Sequence, residues 1–568
     1  MLKVGNGLCL GFCNFHFTRP FCRLYQLVHP IALNVVERVS AALELAPLRV
    51  ICCRGFLKRR QERVMISDYR TPIIVGVAQV EQREDDPRAA REPIDLMVDA
   101  VKLAGEDCGN PAILRQADSV RVVRGIWGYE NPGRQVAERI EAGGAETGLT
   151  SLGGNYVQSL TNRSFLDIQT GKNEIVVVSG GECGRTQSRA RKAGLDLDWN
   201  PLTREPGANP TTKDEGDKPE IFLGSNKVTR HDAEMRRGIK LPIQFYPMFE
   251  TALRYARGEG VEEHLKRVSE LWAGFNKVAV ENPHAWIRKR LSAEEIRTPS
   301  PSNRPVSYPY TKLMNSNNSV DQGAALILTS VGKARELGIA KERWVFPHAG
   351  TEAWDHLYVS ERDNLHSSVA IRLSAAKLFD MTGFGPDDMD YVDLYSCFPA
   401  AVQVSANEIG LSQERPLTVT GGLTFAGGPL NNYVMHSVAR TVEMLRAAPG
   451  SKGLVTANGG LLTKHALCIY STDAPAEPFA CANLQNEVDA MPRREVAEEH
   501  EGEATVESYV VMYDSKGQPD VAHAACLLDD GRRTWANVAD CDTVKAMLEE
   551  EFCGRPARVD GAGGLSIQ

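Results

Sequence analysis

Asp393-Leu394-Tyr395-Ser396-Cys397-Phe398-Pro399 is the stretch on which the reading of this chain turns. An apolar-alternating run, Met389 to Leu394, precedes it, and a helical pattern from Ala400 to Ile409 follows. That order predicts a strand that delivers Tyr395 and Cys397 to a loop, with a helix starting just behind them. Side chains at such strand ends point out of the sheet into a crevice, where ligands bind in α/β proteins. A thiol beside a helix N-terminus is also where thiolate is favoured electrostatically. The plain alternative for Cys397 is a buried structural cysteine.

Working outward, the same strand-then-helix grammar recurs on both sides. Toward the N-terminus, Pro72 to Val80, Asp118 to Trp127 and Glu174 to Ser179 read as strands. The segments Pro93 to Ala104, Gly133 to Ala142 and Gly153 to Gln169 read as helices. Strands at Asn318–Thr329 and Trp344–His348 follow, then a helix at Ser367–Met381, and after the Cys397 region a helix at Asn432–Ala447. Lys452–Ala457 and His465–Tyr470 are the last strands of the series. Alternation of this kind predicts an α/β fold with parallel sheets and helices on their faces. Gly153-Gly154 and Gly180-Gly181 in the first half are echoed by Gly427-Gly428 and Gly459-Gly460 in the second, which predicts a duplicated unit.

Two regions interrupt the series. Between Gly184 and about Pro309 the alternation stops, and more than a hundred residues of polar loop (Asp196 to Pro219) and helix (Pro247 to Arg257, Val261 to Asn282) form an insertion. After Pro475, Asn486 to Glu503 reads as an acidic linker or exposed arm. Short strands at Val506–Tyr513, His523–Leu528 and Thr534–Val538 then predict a small antiparallel barrel, with a helix near Val544–Glu551. The domain boundaries expected are 66–340 with an insertion at 184–310, then 341–475, then 476–568. Residues 1–65 are rich in Cys, Phe and Arg without periodicity. We read them as upstream sequence, disordered or not native, ahead of a natural start at Met65.

Composition narrows the function classes. The chain has 568 residues, 42% of them hydrophobic, with a net charge of −8 and an isoelectric point near 5.9. Nothing there calls for nucleic acid or an anionic membrane. No apolar run reaches the roughly 18 residues of a membrane span. Of thirteen cysteines, five lie in the first 65 residues and the rest are scattered without CxxC or zinc spacing. This predicts a reducing, cytoplasmic setting and no metal. No GxGxxG turn or Walker loop is present.

From about residue 70 to 472 the order of motifs resembles the thiolase superfamily, a duplicated five-layered α-β-α-β-α fold with a loop domain inserted in its first half. Asp321-Gln322-Gly323-Ala324-Ala325-Leu326 is similar to the family's D-G-A-A strand. Gly383 to Phe398 resembles the sterol-carrier-type thiolase segment whose strand ends in H-D-C-F, and Thr420 to Pro429 resembles G-G-x-x-x-x-G-H-P. The C-terminal strands resemble the OB-like domain of thiolase-like proteins of type 1. The resemblance implies a coenzyme A thioester as substrate or ligand, at least a homodimer, and acetyl-CoA acyltransferase kinship.

The departures are as informative. By family spacing the acyl-accepting cysteine slot falls at Gly154, the G-H-P histidine at Gly428, the H-D-C-F histidine at Tyr395, and the C-x-G cysteine near Ala457. Cys397 keeps the position that resembles the family's acid/base cysteine. Tyr395, His436 and His465 are the further catalytic candidates, although each histidine also has a plain reading as a satisfied core residue. Gly427, Gly428, Asn458, Gly459 and Gly460 are the candidates for binding the thioester through backbone N–H groups. Arg185/Arg189/Arg191/Lys192, Arg236/Arg237 and Arg288/Lys289/Arg290 are candidates for the CoA phosphates. With glycine at 154, thiolysis through an acyl-enzyme is not expected, because nothing there holds the acyl group. Aldol or retro-aldol chemistry needs no such intermediate, and thiolase-like aldolases resemble this chain in their Y-x-C-F tyrosine. A CoA-binding protein without catalysis, or a scaffold subunit, are the competing readings.

Overall fold

The computed structural model describes residues 69–197, 199, 218–225 and 227–568. The expectation made for residues 1–65 lies outside them. The first half supplies β1 (Pro72–Glu81), β2 (Ser119–Val122), β3 (Glu146–Thr150), β4 (Ile175–Cys183), β5 (Ile221–Leu223), β6 (Pro305–Tyr308), β7 (Tyr310–Thr311) and β8 (Asp321–Ser330). Six of them form one sheet in the order β1-β8-β4-β2-β3-β5. β2 runs parallel to β3 and β4, and β3 parallel to β5. β8 lies antiparallel between β1 and β4. The sheet is therefore mixed rather than parallel as expected. β8 follows the long insertion instead of a helical crossover, so no crossover fixes its direction.

The second half repeats this plan. β9 (Phe346–Trp354), β10 (Tyr391–Asp393), β11 (Lys452–Gly459), β12 (Lys464–Ser471) and β13 (Cys481–Asn483) are ordered β10-β11-β12-β9-β13. β11 is parallel to β10, and β12 is antiparallel between β11 and β9. Thus β9, β12, β11 and β10 stand to one another as β1, β8, β4 and β2 do, and the expected duplication is visible in the pairing itself.

The Pro93–Asp107 helix covers one face of the first sheet, and the Val369–Thr382 helix packs on β9 and β12 of the second. Between the sheets run the Tyr156–Gln169 and Tyr433–Ala447 helices, which touch strands of both. The result is the five-layered α-β-α-β-α arrangement. β1, β4 and β8 are buried along both faces and so read as unbroken apolar runs. The central Tyr156–Gln169 helix is buried over most of its surface, with Arg163 exposed, and several of its buried polar groups are matched inside the protein. The Gln158 amide donates to the Tyr470 hydroxyl at 2.8 Å, and Asp167 accepts from Arg121 at 2.7 Å.

Past residue 500, β14 (Gly502–Tyr513), β15 (Pro519–Leu527), β16 (Arg533–Val538), β17 (Pro556–Val559) and β18 (Leu565–Ile567) are ordered β16-β15-β14-β17-β18. The Asn537 N–H donates to the Gly563 carbonyl at 2.8 Å, drawing the two ends together into a small barrel-like domain. β17 and β18 escaped the sequence reading because they are short and carry no long alternation. β6 also joins this sheet, with Tyr308 opposite Val511 on β14. The Pro242–Arg257 helix packs against it, its Thr251 hydroxyl donating to the Tyr509 carbonyl at 2.9 Å. The stretch expected to be an exposed arm is instead docked. Ala497 N–H reaches the Arg533 carbonyl and Arg494 N–H the Glu361 carbonyl, both at 2.9 Å. Among the described residues no helix is long and apolar enough to cross a membrane.

Candidate active site

β10 ends at Asp393, and the Pro399–Ile409 helix begins with Pro399 in its first position, where a missing N–H costs nothing. The loop between them is fixed from several sides. Asp393 accepts hydrogen bonds from Thr418, Tyr433 and Ser437 (2.9, 2.9 and 2.8 Å), which ties the strand end to the 418–420 loop and the Tyr433–Ala447 helix. The Tyr395 N–H donates to Thr456 at 2.9 Å. The Cys397 carbonyl accepts from both the N–H and the hydroxyl of Ser316, each at 3.1 Å.

Tyr395 and Cys397 are both buried. The Tyr395 ring meets Tyr433 edge to face at 5.6 Å, and its hydroxyl reaches the Gly153–Asn155 loop. A Cβ added at Gly154 would lie 2.5 Å from that hydroxyl and 2.5 Å from the Asn458 carbonyl. The Cys397 sulfur receives the Asn458 amide at 3.8 Å and faces the Tyr246 hydroxyl. Burial pushes this thiol up to about 12, the two polar neighbours offsetting only part of the effect. At neutral pH it is a hydrogen-bond donor rather than a base. Among the described residues no carboxylate or imidazole is hydrogen-bonded to it.

Tyr246 was not anticipated. It comes from the Pro242–Arg257 helix of the insertion, stacks on Phe398 at 4.4 Å, and its oxygen accepts from the Asn458 amide and the Leu462 N–H, both at 2.9 Å. In sequence it is one aromatic in an amphipathic helix, with no motif around it. Burial raises its pKa well above the ordinary phenol value, with the neighbouring Cys397 adding to the effect.

Of the expected residues, the structure brings Tyr395, Cys397, Asn458, Gly459 and the Gly154 loop together. A Cβ on Gly459 would come within 2.3 Å of the Asn155 side-chain oxygen. The Asn155 and Asn458 side-chain oxygens are buried with no hydrogen-bond partner among the described residues. Gly427 adopts φ +111°, a backbone state glycine alone takes readily, with Gln322 packed where its Cβ would be. The Gly428 N–H is committed to the Asn317 carbonyl at 2.9 Å and the Leu430 N–H to the Gly428 carbonyl at 2.7 Å. Gly460 turns the chain from β11 toward β12 at φ +72°.

The histidines bond elsewhere. His436 contacts Gln79 of β1 at 3.1 Å, and burial pushes it down to about 3. His465 lies 3.3 Å from the Asp355 carboxylate and 3.3 Å from the Leu462 carbonyl. Several cluster arginines are committed as well. Arg185 and Arg189 pair with Asp85, Arg236 with Glu498 and Glu499, and Arg237 donates to the Ala562 and Trp535 carbonyls.

Residues 483–563 match the family model for the thiolase-like protein type 1 additional C-terminal domain. The crystal structure of a monomeric SCP2-thiolase like protein type 1 from Mycobacterium smegmatis is 32% identical, with a TM-score of 0.74. The match covers 88% of this chain and 99% of that one. The chain belongs to the SCP2-thiolase-like proteins of type 1. Sterol carrier protein 2 of Oryctolagus cuniculus is 22% identical over 268 residues, which span 41% of this chain and 48% of that protein. Benzoylsuccinyl-CoA thiolase subunit BbsB of Thauera aromatica is 27% identical over 185 residues, spanning 30% of this chain and 46% of that one. This type 1 protein thus spans about half the length of the curated relatives it matches. The homodimer expectation finds no support: the mycobacterial protein is described as monomeric.

Proposed function

We propose that this type 1 thiolase-like protein binds an acyl-CoA and acts on the carbon–carbon bond next to the thioester without forming an acyl-enzyme. The observation that carries this reading is the closure of the nucleophile slot, where the Tyr395 hydroxyl stands in the space a side chain at Gly154 would need. What remains around Cys397 is a set of uncharged donors: the Tyr395 and Tyr246 hydroxyls, the Asn458 amide and the thiol itself. Such donors, shielded from water, stabilise an enolate oxygen as charge develops on it.

In its retro-aldol form the substrate is a β-hydroxyacyl-CoA. The β-hydroxyl gives up its proton to a water molecule, the Cα–Cβ bond breaks to leave a carbonyl product, and the electron pair moves onto the thioester as an enolate. The proton held by that water is then delivered to Cα, which gives the shorter acyl-CoA. Tyr395 is the residue assigned to the enolate oxygen, because its hydroxyl makes no hydrogen bond among the described residues. The competing reading, a CoA-binding protein without catalysis, draws on the same site: among the described residues no carboxylate or imidazole is hydrogen-bonded to the Cys397 sulfur.

A panel of β-hydroxyacyl- and β-ketoacyl-CoAs, with products identified by mass, tests the proposal. The expected result is cleavage of a β-hydroxyacyl-CoA, slowed about 100-fold or more in Tyr395→Phe, with no acyl adduct on any cysteine after acetyl-CoA. An adduct would overturn the non-covalent mechanism. CoA binding without turnover of any member would leave the non-catalytic reading in its place.

A further inference from the structure

Lys464 is the first residue of β12, and it is 4% exposed. Its ammonium lies 4.6 Å over the Trp354 ring and 5.2 Å over the Tyr156 ring. Among the described residues it makes no ion pair and no hydrogen bond. Three other deeply buried cations are held by carboxylates, Arg121 by Asp167, Arg254 by Glu551 and Arg533 by Glu507. Arg362, which has no ion pair among the described residues, still donates to the Leu461 carbonyl and the Thr463 hydroxyl. Taking an ammonium out of water without a counter-charge is expensive, and two aromatic faces return only part of that energy. A methionine would fill the same space between the rings without the desolvation penalty. Packing alone therefore gives no reason for a lysine.

Its position shows where the missing anion would come from. Lys464 is paired across the sheet with Gly459, and the open side of Gly459 faces the Asn155 side chain and the Gly153 backbone. Tyr156, whose ring carries the ammonium, follows Gly154 and Asn155 directly. The cation thus stands beside the same Gly153–Asn155 loop that the Tyr395 hydroxyl touches from another side. The Asn155 oxygen on that loop is a buried acceptor without a donor, so it calls for an N–H or O–H of the ligand and leaves the carboxylate to Lys464.

We propose that Lys464 binds a carboxylate carried on the acyl portion of the substrate, so that the preferred thioesters are those of dicarboxylic acids. The inference rests on the acyl-CoA reading given above. A single enclosed ammonium between two rings suits one small anion. It lies beside the loop where the acyl group must sit, whereas the CoA phosphates belong at the protein surface with several cations.

Calorimetric titration of the wild-type chain and of Lys464→Met with succinyl-CoA, butyryl-CoA and free CoA tests this. An enclosed charge-assisted contact predicts that the wild type prefers succinyl-CoA over butyryl-CoA by at least about tenfold. Lys464→Met should lose that preference and keep its affinity for CoA, and Lys464→Arg should retain part of the preference. Relief of the unpaired charge should also raise the melting midpoint of Lys464→Met, whereas a structural lysine would lower it. No preference in the wild type, or an equal preference in Lys464→Met, overturns the proposal. So does a loss of affinity for CoA itself in that variant, which would place a phosphate at the site. If no CoA compound binds either protein, the acyl-CoA reading fails. Free succinate then decides for Lys464 alone: binding that Lys464→Met loses keeps the site, and absence of binding overturns it.

Discussion

The Tyr395 hydroxyl and the bare backbone of Gly154 share one space, since a Cβ at residue 154 would stand 2.5 Å from that oxygen. The tyrosine and the glycine are therefore a matched pair. Gly154→Ala should destabilise the fold by about 1–3 kcal/mol through overpacking, read by urea denaturation. Gly154→Cys should give no acyl adduct with acetyl-CoA, because the new side chain has no room to present its sulfur. An adduct in that variant would show that the slot can reopen.

Cys397 provides a second test. With its thiol pushed up to about 12 by burial, it holds its proton while an unfolded cysteine ionises near 8.5. Its contribution to stability is complete below about pH 8.5 and is lost as pH rises toward 12. At pH 8 iodoacetamide should label the exposed Cys541 and leave Cys397 unmodified, as peptide mapping would read. Labelling of both at similar rates would contradict the burial described.

The anchoring of the insertion is open to the same kind of test. Glu250 accepts from His264 and Gln403, each at 2.6 Å, and from Tyr310 at 2.5 Å. Burial alone would raise this carboxyl, yet hydrogen bonds led by His264 outweigh it and hold it below the ordinary range. The associated stability is present above the unfolded value near 4.3 and lost as pH falls below it. Breaking the network with Glu250→Ala should cost about 3–5 kcal/mol in denaturant titration.

His436, although a basic group, also loses its contribution as pH falls. Burial keeps it neutral down to about 3, while in the unfolded chain it charges near 6.5. Stability is therefore full above about pH 6.5 and declines as pH falls toward 3. Between pH 7 and 4.5 this single group accounts for about 2–3 kcal/mol. His436→Leu should flatten that part of the stability profile, and an unchanged slope would place the titration elsewhere.

Much of this was legible before any coordinate. The duplication showed in the paired glycines, and the strand-loop-helix around Tyr395 and Cys397 showed in a change of period from two to 3.6. The direction of β8 and β12 did not, because hydrophobic pattern is blind to strand polarity. The approach of Tyr395 to Gly154 could be framed as two missing family residues, but their complementarity is a contact across some 240 positions of chain, which spacing alone does not convey. Tyr246 was hidden for a related reason: a helix in the insertion presents it to a site built by the core, and locally it reads as one more packed aromatic. Lys464 adjoined His465, to which the sequence reading gave the catalytic candidacy. The histidine is satisfied by Asp355, and among the described residues the lysine has aromatic faces but no ion pair or hydrogen bond.

The short strand β5 has a consequence of another kind. An unpaired strand edge is an invitation to a neighbouring chain, and here the insertion closes β3 from within the same polypeptide. Tyr246 likewise reaches the site from an element of its own chain. With β3 covered, the edge of this sheet passes to β5, a strand of three residues that carries the exposed Phe222. An edge that short offers a neighbouring chain only a few backbone hydrogen bonds, so any edge-to-edge contact there is limited by the insertion and not by the core.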